Sequence, residues 1–325
     1  MSLKRLFASV CTCVVVAAFW ASYAMAPENS ARVRNALLAT VGSASDFNWT
    51  PQNVPQTYRN ETSASPAYWQ KVKQTLPTNI DSASSLDQAI AITRLMANTQ
   101  SERFGLAIQK NTQATYSDML NYGMGYCADY SQVFNAIAHS LNLPVREWAL
   151  AFDGFGRGHT FNEVYDPETE RWIFIDSFHG FYFADAQGQP LSVAEVQHAS
   201  RTLSDLNPII IDRARFAFRS TTEAIEYYRR GADQFYLFWA NDVFTQDQHQ
   251  ISSIWSQAPR AVEVFAHIAD GSHPRVRLIE TPTNAGHIRK LNHTKWMFLG
   301  GLIAMFLCGC WVLWELVRLR RKSPA

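Results

Sequence analysis

The chain has 325 residues, with 29 Lys and Arg set against 28 Asp and Glu. This near-neutral charge, with no basic stripe, zinc-ligand spacing or phosphate-binding loop, argues against a nucleic-acid partner, and no motif asks for a metal or other cofactor. The informative features are two apolar ends and the cysteine, histidine and aspartate content of the middle.

Lys4 and Arg5 precede an uncharged run from Leu6 to Ala26, with small residues at Ser22, Ala24 and Ala26. That is the form of a secretory signal, and about 20 apolar residues also suffice to span a bilayer. Pro27 argues against cleavage after Ala26, while a cut after Ala24 stays open. Residues 1–26 are therefore read as a transmembrane anchor or signal. Residues 27–80 are rich in Ser, Thr, Asn and Pro and lack sustained periodicity. They read as a linker packed along the domain, with a short helix around Tyr68 and Val72.

Residues 81–191 alternate between clear patterns. Leu86, Ile90, Thr93 and Ala97 fall on one helical face, with capping residues at 81–85. Tyr130, Val133, Phe134, Ile137 and Leu141 define a second helix stripe, stopped by Asn142 and Pro144. Gly123 and Gly125 precede it, which sets Cys127 at its first turn. Three strand-like runs follow, "VREWALAF", "HTFNEVYD" and "RWIFIDSF", separated by "DGFGRG" and "DPETE". A further strand is expected in "GFYFADAQGQPL". Residues 192–290 read as mainly helical, ending in a hairpin around "DGSHP". Residues 296–314 carry no charge and have Trp at both ends, predicting a C-terminal transmembrane helix, with 315–325 as a basic tail.

If both apolar segments span, both ends lie on one side. Lys4, Arg5 and the basic cluster at 318–322 predict cytoplasmic ends and an exported middle, periplasmic or extracytoplasmic on the inner membrane of a bacterium. Arg32, Arg34, Arg289, Lys290 and Lys295 flank the same spans from the far side and reduce the contrast. Four of the five cysteines lie in the apolar ends. Cys127 alone belongs to the exported part, where a lone thiol calls for burial or a use.

A cysteine at a helix start has two advantages as a nucleophile. The positive end of the helix dipole stabilises its thiolate, and its own N–H is among the first-turn donors left free for an oxyanion. His159 opens a strand directly after a glycine-rich bend, whereas His139 lies ~18 Å further along the Cys127 helix. The base needs an orienting acceptor. Asp176, at the end of the strand expected to pair across "DPETE", is a cross-strand candidate. Glu163 is displaced by ~13 Å on the strand of His159 and is the weaker one.

The segments "GYCADYSQVFNAIAHSLNLPVR", "GHTFNEVYDPETERW" and "WIFIDSF" resemble the transglutaminase-like superfamily, a circularly rearranged relative of the papain fold. The resemblance is tight over residues 123–178 and looser over 81–191. It implies Cys127 as nucleophile, His159 as base and Asp176 as orienter. Thr160 and Phe161 stand where the family often has a small residue and Trp, Ser177 stands where Pro is common, and no resemblance extends beyond 191. The implied class is α+β: a Cys-bearing helix packed on an antiparallel sheet carrying His and Asp, with a mostly helical extension and two flanking transmembrane helices.

The expected function is a membrane-tethered cysteine hydrolase or acyltransferase working through a thioester on an amide or ester of a protein, peptide or envelope polymer. Oligomeric state is not set by the sequence, nor is hydrolysis against amine transfer. The rival is a non-catalytic binding or scaffold module in an envelope or polysaccharide assembly, with the aromatic stretch 227–239 as its working surface. A redox-sensing thiol is disfavoured because no resolving cysteine accompanies Cys127.

Overall fold

The computed structural model describes residues 3–97, 108, 110–248 and 260–320. Its centre is a mixed sheet of six strands in the order β1-β8-β7-β2-β3-β4. These are Ala39–Gly42 (β1), Val145–Ala151 (β2), Gly158–Asp166 (β3), Arg171–Ile175 (β4), Phe235–Phe238 (β7) and Val276–Ile279 (β8). β1 runs parallel to β8, and every other neighbouring pair is antiparallel. Phe181–Ala184 (β5) and Asn207–Ile210 (β6) form a separate antiparallel pair.

Alternation along the strands divides the core into two faces. Val145, Val164, Ile173 and Ile175 meet Tyr130, Val133, Phe134 and Ile137 of Cys127–Ser140 (α6). Ala67–Lys73 (α3), Ser85–Ala97 (α4) and Thr112–Tyr122 (α5) surround α6. On the opposite face Trp148, Leu150, Phe161, Phe174, Phe235 and Leu237 are covered by Val193, Val196 and Ala199 of Val193–Thr202 (α7). Ala224 and Tyr228 of Thr221–Arg230 (α8) complete that layer. Burial of each such ring contributes on the order of 2–3 kcal/mol.

Several expectations change. The buried face of α4 is Ser85, Gln88, Ala89, Ile92, Thr93, Met96 and Ala97, so Thr93 and Ala97 of the expected stripe are buried while Leu86 and Ile90 are only half-buried. Helix α6 packs against α4, with Ala89, Ile92 and Met96 in the core they share and Leu86 at its margin. Within 27–80, residues 27–42 form a helix, Pro27–Leu38 (α2), followed by the edge strand β1, while the short helix expected around Tyr68 and Val72 is α3. The region 192–290 is not simply helical, because it supplies β7 and β8 to the main sheet. The segment before "DGSHP" is a helix, Arg260–Ala269, rather than the first arm of a hairpin. Tyr228, Phe235, Tyr236, Leu237 and Trp239 are all buried, which removes them as an exposed working surface.

The apolar ends also differ from expectation. One described helix, within Ala285–Arg320, is long and apolar enough to cross a bilayer, by length and composition. Leu3–Met25 (α1) has an apolar stretch, Phe7–Tyr23, that is too short for the same criterion, so a second transmembrane helix is not supported on that ground. The two helices nevertheless pack antiparallel: Trp20 fills the space at Gly301, where a Cβ would come within 2.5 Å of its ring, and the Cys13 thiol meets Cys308.

Candidate active site

Helix α5 ends at Gly123 and helix α6 begins at Cys127, and the turn between them depends on Gly125. Gly125 has φ +129°, and a Cβ there would lie 2.9 Å from the Tyr130 ring. Such a backbone conformation favours glycine. Asp129 Oδ2 accepts the Tyr126 N–H at 2.8 Å and fixes the start of the helix. This leaves Cys127 half-buried at the first helical position, with its N–H in the turn that has no acceptor inside the helix.

β3 approaches β2 so closely at Gly158 that a Cβ would collide with the Leu150 carbonyl oxygen, at 1.7 Å. His159 follows, buried at 3% exposure, in register with Leu150. Its ring and Thr160 are hydrogen-bonded to the Cys127 thiol. His159 Nε2 lies 2.8 Å from Asp176 Oδ2, which assigns Nδ1 to the thiol side. Asp176 is fully buried just past β4, where a bridge to Phe181 turns the chain. The structure thus brings Cys127, His159 and Asp176 together in one hydrogen-bonded chain.

Two further residues complete the surroundings of Asp176. His179 Nδ1 donates to Oδ2 at 2.8 Å and the Tyr228 hydroxyl donates to the same oxygen at 2.7 Å. The backbone N–H groups of Phe178 and His179 donate to Oδ1 at 3.1 and 2.9 Å. The sequence reading missed both side chains. His179 had a local signal, a histidine three residues after an aspartate in "DSFHG". Tyr228 had none, because its partner is distant in the chain.

The electrostatics follow from these contacts. Burial opposes ionisation of Asp176, but His159 and His179 outweigh it and hold the carboxyl well below its ordinary range. Burial likewise disfavours a charged His159 ring, yet Asp176 and Cys127 raise it to about 10. For Cys127 the desolvation penalty is overcome by the hydrogen bond and charge of His159 and by Thr160, and the thiol sits below its usual value. His179 is shifted down, chiefly by burial, and so is the neutral ring of the two. Tyr228 is held protonated by burial and by the Asp176 charge. The arrangement favours a thiolate facing an imidazolium, titrating as a pair.

Glu163 is committed elsewhere. Its Oε2 accepts Arg146 Nε at 2.9 Å, Arg146 Nη2, and Trp148 Nε1 at 2.7 Å, while Oε1 accepts the Val193 N–H at 2.8 Å. His139 lies at the other end of α6, bonded to the Asn241 carbonyl. A cavity of about 520 Å³ opens at that far end, lined by Trp49, Glu61, His139 and Trp172, and does not include Cys127. Beneath α6, Glu147 accepts from Gln132 and Asn135, and burial raises its pKa to about 8.

Ligand atoms of His159, Asp176 and His179 lie within 4.8 Å of one another, a spacing that could hold a metal ion. The same atoms are already joined by direct 2.8 Å hydrogen bonds, which a metal would have to replace.

Comparison with known proteins gives a family match over one segment of the chain. The model of the transglutaminase-like superfamily matches residues 71–177, from within α3 to the residue after Asp176. No curated protein and no solved structure matches the chain. His179 and α8 with Tyr228 fall outside the matched span. Residues 71–177, with the Cys-bearing helix and the His- and Asp-bearing strands inside them, match the transglutaminase-like superfamily.

Proposed function

We propose that this chain is a membrane-anchored cysteine enzyme of acyl transfer, with Cys127 as nucleophile, His159 as general base and acid, and Asp176 as orienter. The observation that carries the reading is the buried chain of hydrogen bonds from the Cys127 thiol through His159 to Asp176.

The Cys127 thiolate attacks the carbonyl carbon of an amide or ester, and the π electrons move onto oxygen. The Cys127 N–H faces the developing oxyanion. The imidazolium of His159 gives its proton to the departing amine or alcohol as the C–N or C–O bond breaks, leaving a thioester. His159 then takes a proton from water or an amine, which attacks the thioester and returns the thiol. Asp176 keeps Nε2–H of His159 engaged and stabilises the charged ring. Its anion is maintained by His179, Tyr228 and two backbone N–H groups.

The long helix Ala285–Arg320 serves as the anchor in this reading, with α1 packed against it, and the domain lies on the extracytoplasmic side. A protein, peptide or envelope polymer is the substrate class. The test is alkylation of the full chain by iodoacetamide about two units below the ordinary thiol pKa of ~8.5. Cys127 should react faster than a free thiol there, His159→Ala should remove the advantage, and Cys127→Ser should remove the product. A Cys127 rate no greater than that of a free thiol would overturn the assignment.

A further inference from the structure

The residues around the β2–β3 loop relate the site to the anchor. This loop, 152–157, leads directly into His159. Arg32 of α2 donates to the Asp153 carbonyl at 2.9 Å and pairs with its carboxylate at 3.1 Å. Asn35 Nδ2 donates to the Phe155 carbonyl at 2.7 Å. The Phe155 ring is buried with Ala36 of α2 and Leu291 of the long helix. At Gly154 a Cβ would lie 3.5 Å from Lys290 Cδ and 3.9 Å from His287 Nδ1. Two helices therefore grip the loop from one side.

Both of these helices lead straight into apolar segments. Only Ala26 separates α2 from α1, and the long helix is unbroken from Ala285 onward. Lys290 stands six residues before Trp296, the first residue of the uncharged run, which is ~9 Å along a helix. The opposite end of β3 leads into the exposed turn at 166–170, ~30 Å away along the strand. The thiol, bonded to the second and third residues of β3, shares the near end. Arg157 and Arg230 are exposed there, with Arg230 stacked over Phe152 at 4.3 Å and Tyr227 at 5.4 Å.

We propose that the Cys127 site faces the bilayer surface and takes its acyl group from a membrane-anchored substrate, whose amide or ester carbonyl is carried at headgroup level. This rests on Cys127 being the nucleophile and on the long helix spanning the membrane. A nucleophile so near the surface meets anchored molecules at high effective concentration, because anchoring confines them to the same thin layer. Bulky soluble polymers must instead enter the gap between domain and bilayer. The basic side chains at this end suit the anionic headgroups of the same layer.

The experiment uses the full chain with Glu168→Cys in phosphatidylcholine vesicles. It compares a soluble neutral maleimide with a maleimide on a lipid headgroup through a short spacer, reading labelled peptides by mass spectrometry. The ratio of labelling at position 127 to position 168 should rise at least about tenfold with the lipid-borne reagent. An unchanged or lower ratio overturns the proposal. Slow soluble labelling of Cys127 would tell instead against the activated thiolate, and the orientation is then judged with Arg157→Cys and Glu168→Cys in a Cys127→Ser background. There too, lipid-borne reagent should favour position 157, and equal labelling overturns the proposal.

Discussion

His159 and His179 share a single oxygen of Asp176, each at 2.8 Å, with their rings 4.6 Å apart. The sharing is unequal in charge, because Asp176 and Cys127 raise His159 while burial lowers His179. A neutral His179 can therefore hold the carboxylate in place without competing for the proton. Replacement by Ala removes one donor from a buried carboxylate, at a cost of about 1 kcal/mol in stability. We expect His179→Ala to slow Cys127 alkylation roughly tenfold at neutral pH, about 1.4 kcal/mol of lost activation. His179→Asn, whose amide can donate to the same oxygen, should recover most of that rate. Equal rates for wild type and both variants would remove His179 from the mechanism.

Tyr228 tests the same carboxylate through a hydroxyl donor on the same face of the sheet. Tyr228→Phe deletes only the hydroxyl that donates to Asp176 at 2.7 Å. Because the folded pKa of Asp176 is depressed, its contribution is present above the unfolded value and is lost as pH falls through the folded one. With one donor fewer the depression shrinks, so the acid side of the thermal-unfolding profile should move to higher pH. At neutral pH the loss should be about 0.5–1.5 kcal/mol. Superimposable profiles would show that the hydroxyl contributes nothing to the ionised state.

The cluster of Cys127, His159 and Asp176 was legible because its elements are local. Gly125, Cys127 and the stripe from Tyr130 to Leu141 lie on one helix, and His159 and Asp176 flank one turn. Asp176 also stood ahead of Glu163, which is displaced by ~13 Å along the strand of His159. What stayed hidden depends on contacts between distant parts of the chain. β7 lies in the stretch expected to be mainly helical, and pairing with Trp148 and Leu150 of β2 decides otherwise. Tyr228 reaches Asp176 only because α7 and α8 cover the second face of that sheet. β1 pairs with β8 across most of the chain, a partner that no window around residue 40 contains.

Glu147 makes a prediction of opposite sign to that of Asp176. Its folded pKa is raised to about 8 from an ordinary 4.5, mainly by burial. The unfolded chain thus gives up this proton before the folded chain does. Stability should fall between these two values, by up to about 1.4 kcal/mol per pH unit, and level off above the higher one. Glu147→Gln keeps an acceptor for Gln132 and Asn135 but cannot ionise. Its melting temperature should match wild type at the acid end of this window and exceed it at the alkaline end. A wild-type profile that is flat across the window would show that Glu147 does not hold its proton in the folded protein.

Glu163 separates folding from chemistry. Arg146 is 2% exposed, its guanidinium lies 3.8 Å over the Trp172 ring, and Glu163 is its ion-pair partner. Removing one member of a buried pair strands the other charge in an apolar setting, at a cost of roughly 3–5 kcal/mol. Glu163→Gln should therefore lower the melting temperature markedly. Four residues along β3 also place it ~13 Å from His159, too far to orient the ring. In protein kept folded at low temperature, Cys127 alkylation should keep the wild-type rate and pH profile. A folded Glu163→Gln variant with an unreactive Cys127 would instead show that the site depends on Glu163 as well, although of the two carboxylates on this face of the sheet only Asp176 touches the histidine.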